Sequence, residues 1–242
     1  MLREFFVNVS PHFIFKQWGL IHNLFSLTTL SLLVIIYLCK DRFSKNKNKE
    51  KILKVSAIIL LINMIIYTFG NLYYDSFDYK EMLPFHLCFI ANYMFIIAIL
   101  FKKHNLLKYT LFMSFIGPIP AILWPNLVST IDNFNFWQLI ISHHFFICIS
   151  LYSYYALNYK IEFKDFGKLF LFLNILLLIV TPFNYIFDTN YIFTNYIPDN
   201  VIVLYPWLKH FPPLLVLEVL GIGIASLIFV IIIKPRNKRL AM

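Results

Sequence analysis

The sequence predicts an all-α, polytopic membrane protein with seven transmembrane helices. Three observations carry this. The 242 residues are 60% hydrophobic and only 14% charged, whereas a soluble domain is about half apolar and about a quarter charged. The apolar residues fall into runs close to the ~20 residues that a bilayer-spanning helix needs. The lysines and arginines collect in alternate connections between those runs. A soluble globular enzyme, a disordered chain and a disulfide scaffold are excluded on the same grounds. Seven spans with short loops use up the length, so residues 1–242 are expected to form a single membrane-embedded helical domain.

The spans are predicted near residues 19–39, 55–74, 84–101, 109–127, 137–157, 169–187 and 212–233. The first is too long for a signal-peptide core and is followed by no small-residue cleavage site, so it is expected to stay in the mature protein. The second starts where the basic run ending at Lys54 gives way to apolar residues and closes near Tyr74. Pro84 opens the third, a position that suits a helix's first turn. The fourth carries Pro118 and Pro120 and the sixth Pro182, each of which interrupts helical pairing. The fifth begins at Trp137, and the seventh follows Pro212.

Charge sets the orientation. Residues 40–54 hold Lys40, Arg42, Lys45, Lys47, Lys49, Lys51 and Lys54, and residues 102–108 hold Lys102, Lys103 and Lys108. Lys160, Lys164 and Lys168 follow in 158–168, and the tail adds Lys234, Arg236, Lys238 and Arg239. The opposite side has only Arg3, Lys16, Lys80 and Lys209. Basic loops stay cytoplasmic, so the N-terminus is expected outside and the C-terminus inside; an even number of spans would break the alternation. Topology, helped by anionic headgroups of the inner leaflet, accounts for the basic 40–54 run, and no nucleic-acid partner is implied. Cys39, Cys88 and Cys148 lie in or beside spans, form no CxxC and suggest no disulfide framework.

Polar side chains inside a bilayer are costly and therefore candidates for function. With this orientation and a rise of 1.5 Å per residue, most of them fall at one depth. His86 and Cys88 lie roughly 5–8 Å below the outer surface, His143 and His144 roughly 9–11 Å, and Glu218 roughly 9 Å. Asn71 and Asn184 occupy the outward last turns of their helices, and His22 and Asn23 the first turn of theirs. The inner halves are nearly pure Ile, Leu, Phe and Val. Groups that cannot face lipid turn inward and find one another, and for Asn23, Asn71 and Asn92 simple helix-to-helix hydrogen bonding is a sufficient explanation.

A cysteine beside a histidine is the minimal equipment for nucleophilic catalysis: the thiolate attacks and the imidazole takes, then returns, a proton. Cys88 and His143 share the appropriate depth. Glu218 or Asn184 can hold the imidazole in one tautomer. Cys148 lies deeper and reads as packing, and Cys39 lies at the cytoplasmic end. On a regular helix His86 and Cys88 are turned about 200° apart, so one acts and the other supports. A metal site from His86, His143 and His144 with Cys88 or Glu218 is the rival chemistry. Adjacent His143 and His144 point about 100° apart, which is poor for joint ligation, and no HExxH is present. The expectation is therefore no metal and no cofactor.

The stretch Leu83-Pro84-Phe85-His86-Leu87-Cys88 resembles the YwaF-like family of bacterial integral membrane proteins. That family is related to eukaryotic membrane acyltransferases that remodel ether phospholipids. Gly117 to Leu127 (GPIPAILWPNL) is similar to the family's glycine, alanine-leucine and proline segment, with Asn126 where an acidic residue is expected and Pro118 and Pro120 as departures. Phe136 to His144 (FWQLIISHH) is similar to its aromatic helix start followed by Ser-His. Asn190-Tyr191, Pro198 and Pro206-Trp207 are similar to the loop before its last helix. Together these segments span residues 83–207 in the expected order. The resemblance implies acyl transfer through a Cys–His pair, which falls on Cys88 and His143.

The expected function is thus a membrane-embedded acyltransferase of the cell membrane, with its site toward the extracellular leaflet. A phospholipid donates a fatty acyl chain to Cys88, and a lysolipid or a lipoprotein amine accepts it, with His143 as base and acid. His86, Glu218 and Asn184 support the chemistry. His144, Trp124, Asn190, Tyr191 and Trp207 are expected at the substrate, the tryptophans at the outer interface and the tyrosine-rich 185–205 loop as a lid. The alternatives are a metal-dependent intramembrane lipid hydrolase and a non-enzymatic small transporter or lipid-binding protein. Against the transporter stand the lack of an internal repeat and the off-centre polar layer.

Overall fold

A computed structural model describes residues 2–7, 14–127 and 131–240 of the protein. It is all-α, with no β-strand among the described residues. Among the described residues, six helical stretches are long and apolar enough to cross a membrane: Leu20–Leu38, Lys49–Tyr73, His104–Leu123, Phe134–Leu157, Phe163–Phe187 and Pro213–Asn237. A seventh apolar helix, Leu87–Leu100, is shorter. At 1.5 Å per residue its 14 residues rise only about 21 Å, against the ~30 Å of a hydrocarbon core.

The chain divides into two compact units. The first comprises residues 1–78 and 88–159. It contains α1 (Leu2–Val7), α2 (Leu20–Leu38), α3 (Lys40–Phe43), α4 (Lys49–Tyr73) and the body of α5 (Leu87–Leu100) from Cys88 onward. It also contains α6 (Leu107–Ile116), α7 (Pro118–Leu123) and α8 (Phe134–Leu157). The second unit comprises residues 79–87 and 160–242. Its helices are α9 (Phe163–Phe187), α10 (Asp199–Leu204) and α11 (Pro213–Asn237).

In the first unit α8 is the central element. Its residues from Phe146 to Ala156 are all buried, and α2, α3, α4 and α6 pack around them. Tyr154, Phe146, Phe95 and Phe112 are completely enclosed. The apolar side chains that remain exposed form long faces on α2 and α4, for example Leu24, Leu27 and Ile62. Such continuous exposed faces are what a lipid environment requires and what a soluble surface avoids.

Four local differences from the sequence expectation have physical causes. Helix α4 starts at Lys49, a turn and a half before the apolar run, because Lys49, Glu50 and Lys51 are good helix formers that can extend the helix beyond the hydrocarbon. The expected single span 109–127 is divided at Gly117 into α6 and α7, since Pro118 and Pro120 have no N–H to continue the ladder. Pro182, by contrast, does not end α9, which is assigned as one helix over Phe163–Phe187. The helix expected from 84 begins only at Leu87, so His86 precedes it and Cys88 lies in its first turn. The 200° separation of a regular helix therefore does not apply to that pair.

Candidate functional site

Cys88 occupies the start of α5, where the first backbone N–H groups of a helix have no partner within it. This end of a helix favours negative charge. Gly117, at the joint of α6 and α7, lies against the same turn. A Cβ built on it would meet the Cys88 nitrogen at 3.2 Å and its Cα at 3.5 Å. Both are backbone atoms and cannot swing aside, so the joint approaches this closely only because residue 117 lacks a side chain. Gly117→Ala should displace the start of α5 and lower stability by about 1–3 kcal/mol, read as a drop in Tm.

The histidines come from α8. Residues Ile140–Phe145 of that helix form a π-helical segment, IISHHF, whose His143 and His144 are 6% and 5% exposed. Segments of this kind widen the helix locally and are frequent at functional sites. Helices α2, α4 and α7 pack against it.

Both imidazoles are held by the same device. Ser142 Oγ donates to Gln138 O at 2.6 Å and lies 2.8 Å from His143 Nδ1. The hydroxyl proton is thus committed to the carbonyl, so Nδ1–H must donate to the hydroxyl oxygen, with Leu139 O as a second acceptor at 3.3 Å. Thr29 Oγ1 of α2 donates to Phe25 O at 2.9 Å and lies 2.7 Å from His144 Nδ1. The same reasoning places the His144 proton on Nδ1. Each ring therefore presents Nε2 as its lone-pair nitrogen, the form a general base requires. Neither Glu218 nor Asn184 is needed to fix the His143 tautomer, because Ser142 does so from the adjacent position.

A single side chain ties Cys88 to this segment. The two N–H groups of the Asn92 amide donate to Cys88 O at 2.7 Å and to Ser142 O at 3.0 Å. The two carbonyl oxygens are therefore no more than about 6 Å apart, the sum of those two bonds. The first turn of α5 and the histidine segment of α8 meet there. On the other side of the segment His22 works as a clamp: Trp18 N donates to its Nδ1 at 2.8 Å and its Nε2–H donates to Ile122 O at 2.7 Å. Gln17 Nε2 adds a bond to Leu123 O at 3.1 Å. These contacts fasten the residues at the start of α2 to the end of α7. Trp124, just beyond, is half-buried.

Within the second unit the remaining predicted residues form a different structure. Asn184 is fully buried near the end of α9. Its Nδ2 donates to Tyr191 O and to Thr194 Oγ1, each at 2.8 Å. Its Oδ1 accepts from Thr189 Oγ1 at 2.6 Å and from Tyr191 N at 2.9 Å. That uses every donor and acceptor of the amide inside one loop, so Asn184 pins the loop and retains no donor for an oxyanion. Asn184→Ala should therefore destabilise this unit by about 2–4 kcal/mol, visible as a lower Tm. Tyr191, expected at the substrate, is a core residue: its hydroxyl donates to Tyr79 O and accepts from Leu83 N at 3.0 Å.

His86 is half-buried, with its ring 4.9 Å from that of Tyr191, and its Nδ1 accepts from Ile192 N at 3.3 Å. Asn190 closes its own turn, with Nδ2 donating to Tyr196 O at 2.9 Å. Lys80 and Asp188 pair at 2.5 Å, and the ammonium holds the carboxyl below the usual range of an aspartate. Trp207 is exposed and Glu218 is half-buried on α11. The tyrosine-rich loop is thus fastened at its first half by Asn184. Among the described residues, no group of three or more His, Cys, Asp or Glu stands together to hold a metal ion. All three cysteines are free.

The residues that sequence reasoning missed are Ser142, Thr29 and the linking role of Asn92. A hydroxyl immediately before a candidate histidine is a usable signal for Ser142. Nothing in the sequence marks Thr29, which reaches His144 from 115 positions away.

These helices and their lipid-suited faces define a multi-pass protein embedded in the membrane. The model of the TMEM164 family matches residues 12–233, and the chain belongs to that family. No curated protein and no solved structure matches it.

Proposed function

We propose that this protein is an acyltransferase whose nucleophile is Cys88 and whose general base is His143, akin to the YwaF-like proteins and the ether-phospholipid-remodelling enzymes. The observation that supports the reading is the Asn92 amide bonded to both Cys88 O and Ser142 O, which ties the start of α5 to the residue that precedes His143. His143 Nε2 takes the thiol proton. The Cys88 sulfur attacks an ester carbonyl carbon of a phospholipid, and the amides of the first α5 turn receive the oxyanion. The C–O bond breaks, His143 returns its proton to the departing alkoxide, and a lysophospholipid leaves. The acyl chain stays on Cys88 as a thioester. A hydroxyl of a lysolipid, or a lipoprotein amine, then gives His143 a proton and attacks the thioester carbon, and the sulfur regains its proton as it departs.

The reaction belongs to the outer leaflet of the cell membrane, in a chain that crosses it seven times with α5 as the third pass. The alternation of basic connections supports this count: without a crossing by α5, the 40–54 and 102–108 loops would lie on opposite sides. Reporters placed in the 40–54 loop and at the C-terminus should both be cytoplasmic, and one at the N-terminus external.

The test of function is transfer of a labelled chain from phosphatidylcholine to lysophospholipid by the purified protein in nanodiscs. Transfer should be blocked by N-ethylmaleimide and unchanged by a chelator. Transfer abolished by the chelator but indifferent to the thiol reagent would instead favour metal-dependent hydrolase chemistry.

A further inference from the structure

We propose that Asn92 is a positioning residue that sets the Cys88–His143 geometry by locking the first turn of α5 to the π segment of α8; this rests on the Cys–His reading above. Asn92 is fully buried in LCFIANYMFIIAIL, an otherwise almost wholly apolar helix. A buried amide is costly there unless its bonds are made. It sits one turn beyond Cys88, and its two N–H groups reach the carbonyl of the nucleophile's residue and the carbonyl of the residue preceding the base. Serine or threonine in its place has one donor and can serve only one of these.

The second carbonyl lies within the π segment, where backbone pairing shifts from i+4 to i+5 and loses register with the α-helix that follows. Asn92 donates to a carbonyl of this segment from a different helix. Its Oδ1, also buried, has no hydrogen-bond partner among the described residues. The amide is therefore held by its two N–H bonds alone: one to the carbonyl of Cys88 within α5, which fixes the side chain, and one to Ser142 O, which crosses to α8. Thr29 anchors His144 toward α2 separately, so the lock acts on the face that bears Ser142 and His143.

The test is a double-mutant cycle on the full-length protein in phosphatidylcholine nanodiscs, reading donor KM, kcat, the acyl adduct on Cys88 and Tm. Asn92→Leu should lower kcat about 10- to 100-fold with KM within about twofold, as a small misplacement of reacting groups does. In a His143→Ala background the same substitution should change the residual rate by less than about twofold, because the group it positions is gone. Two results overturn the proposal: a wild-type kcat in Asn92→Leu, or the same fold-loss in both backgrounds, which is what general loss of packing gives. If the leucine variant does not fold, Asn92→Asp keeps the size and has at most one donor; the same cycle applies to it, and the same two results overturn the proposal. Wild-type protein that carries no acyl group and transfers none defeats the Cys–His reading, and this proposal with it. Acylated wild type with an indifferent Asn92 defeats this proposal alone.

Discussion

Alanine at Cys88 should abolish acyl transfer while leaving the protein folded. In the proposed mechanism the thioester has no other route: without a nucleophile at the start of α5, His143 would have no thiol to deprotonate and the oxyanion donors no tetrahedral centre to stabilise. Removing a covalent nucleophile costs at least about 10³-fold in rate. The fold should tolerate it. Cys88 is half-buried, and loss of one sulfur atom from such a position costs about 1 kcal/mol or less. Transfer in nanodiscs and Tm of the same preparation, measured together, separate the two effects. A Cys88→Ala protein with wild-type transfer would show that the thiol is a bystander.

His143→Ala should lower transfer by about 10²–10⁴-fold, the range for loss of a positioned acid–base group. His144→Ala is the informative control. Its ring has the same tautomer and the same burial, but its Nδ1 is tied to Thr29 of α2, while the Asn92 link to Cys88 is made at Ser142, next to His143. Its removal should cost less than about tenfold. Equal losses at the two histidines would mean that the segment, and not His143 in particular, is what matters.

The fold was legible in the sequence for a simple reason: membrane helices must satisfy their backbone internally and cover it with apolar side chains, and both demands are written in composition. Where the prediction erred, a local break in the helical backbone was responsible. Gly117 and Pro118 divided one apolar run into two helices, and the turn ahead of Leu87 left His86 outside the helix that holds Cys88. The candidate residues stood out in the sequence by type, since few His and Cys occur within apolar runs. How those residues are held was not legible. Asn184 looked available for catalysis because sequence shows its depth and not its four local hydrogen bonds. The π segment that carries both histidines has no pattern in IISHHF to announce it. Asn92 looked like generic polar glue between helices, and only its two acceptors distinguish it.

The measurement that bears most directly on the mechanism is mass spectrometry of the Cys88 peptide after brief exposure of the purified protein to phosphatidylcholine with an isotope-labelled acyl chain and no acceptor. The account predicts the labelled chain as a hydroxylamine-sensitive thioester on Cys88, lost within the time of one turnover when lysophospholipid is added. Label on another residue, or efficient transfer with Cys88 never acylated, would contradict it.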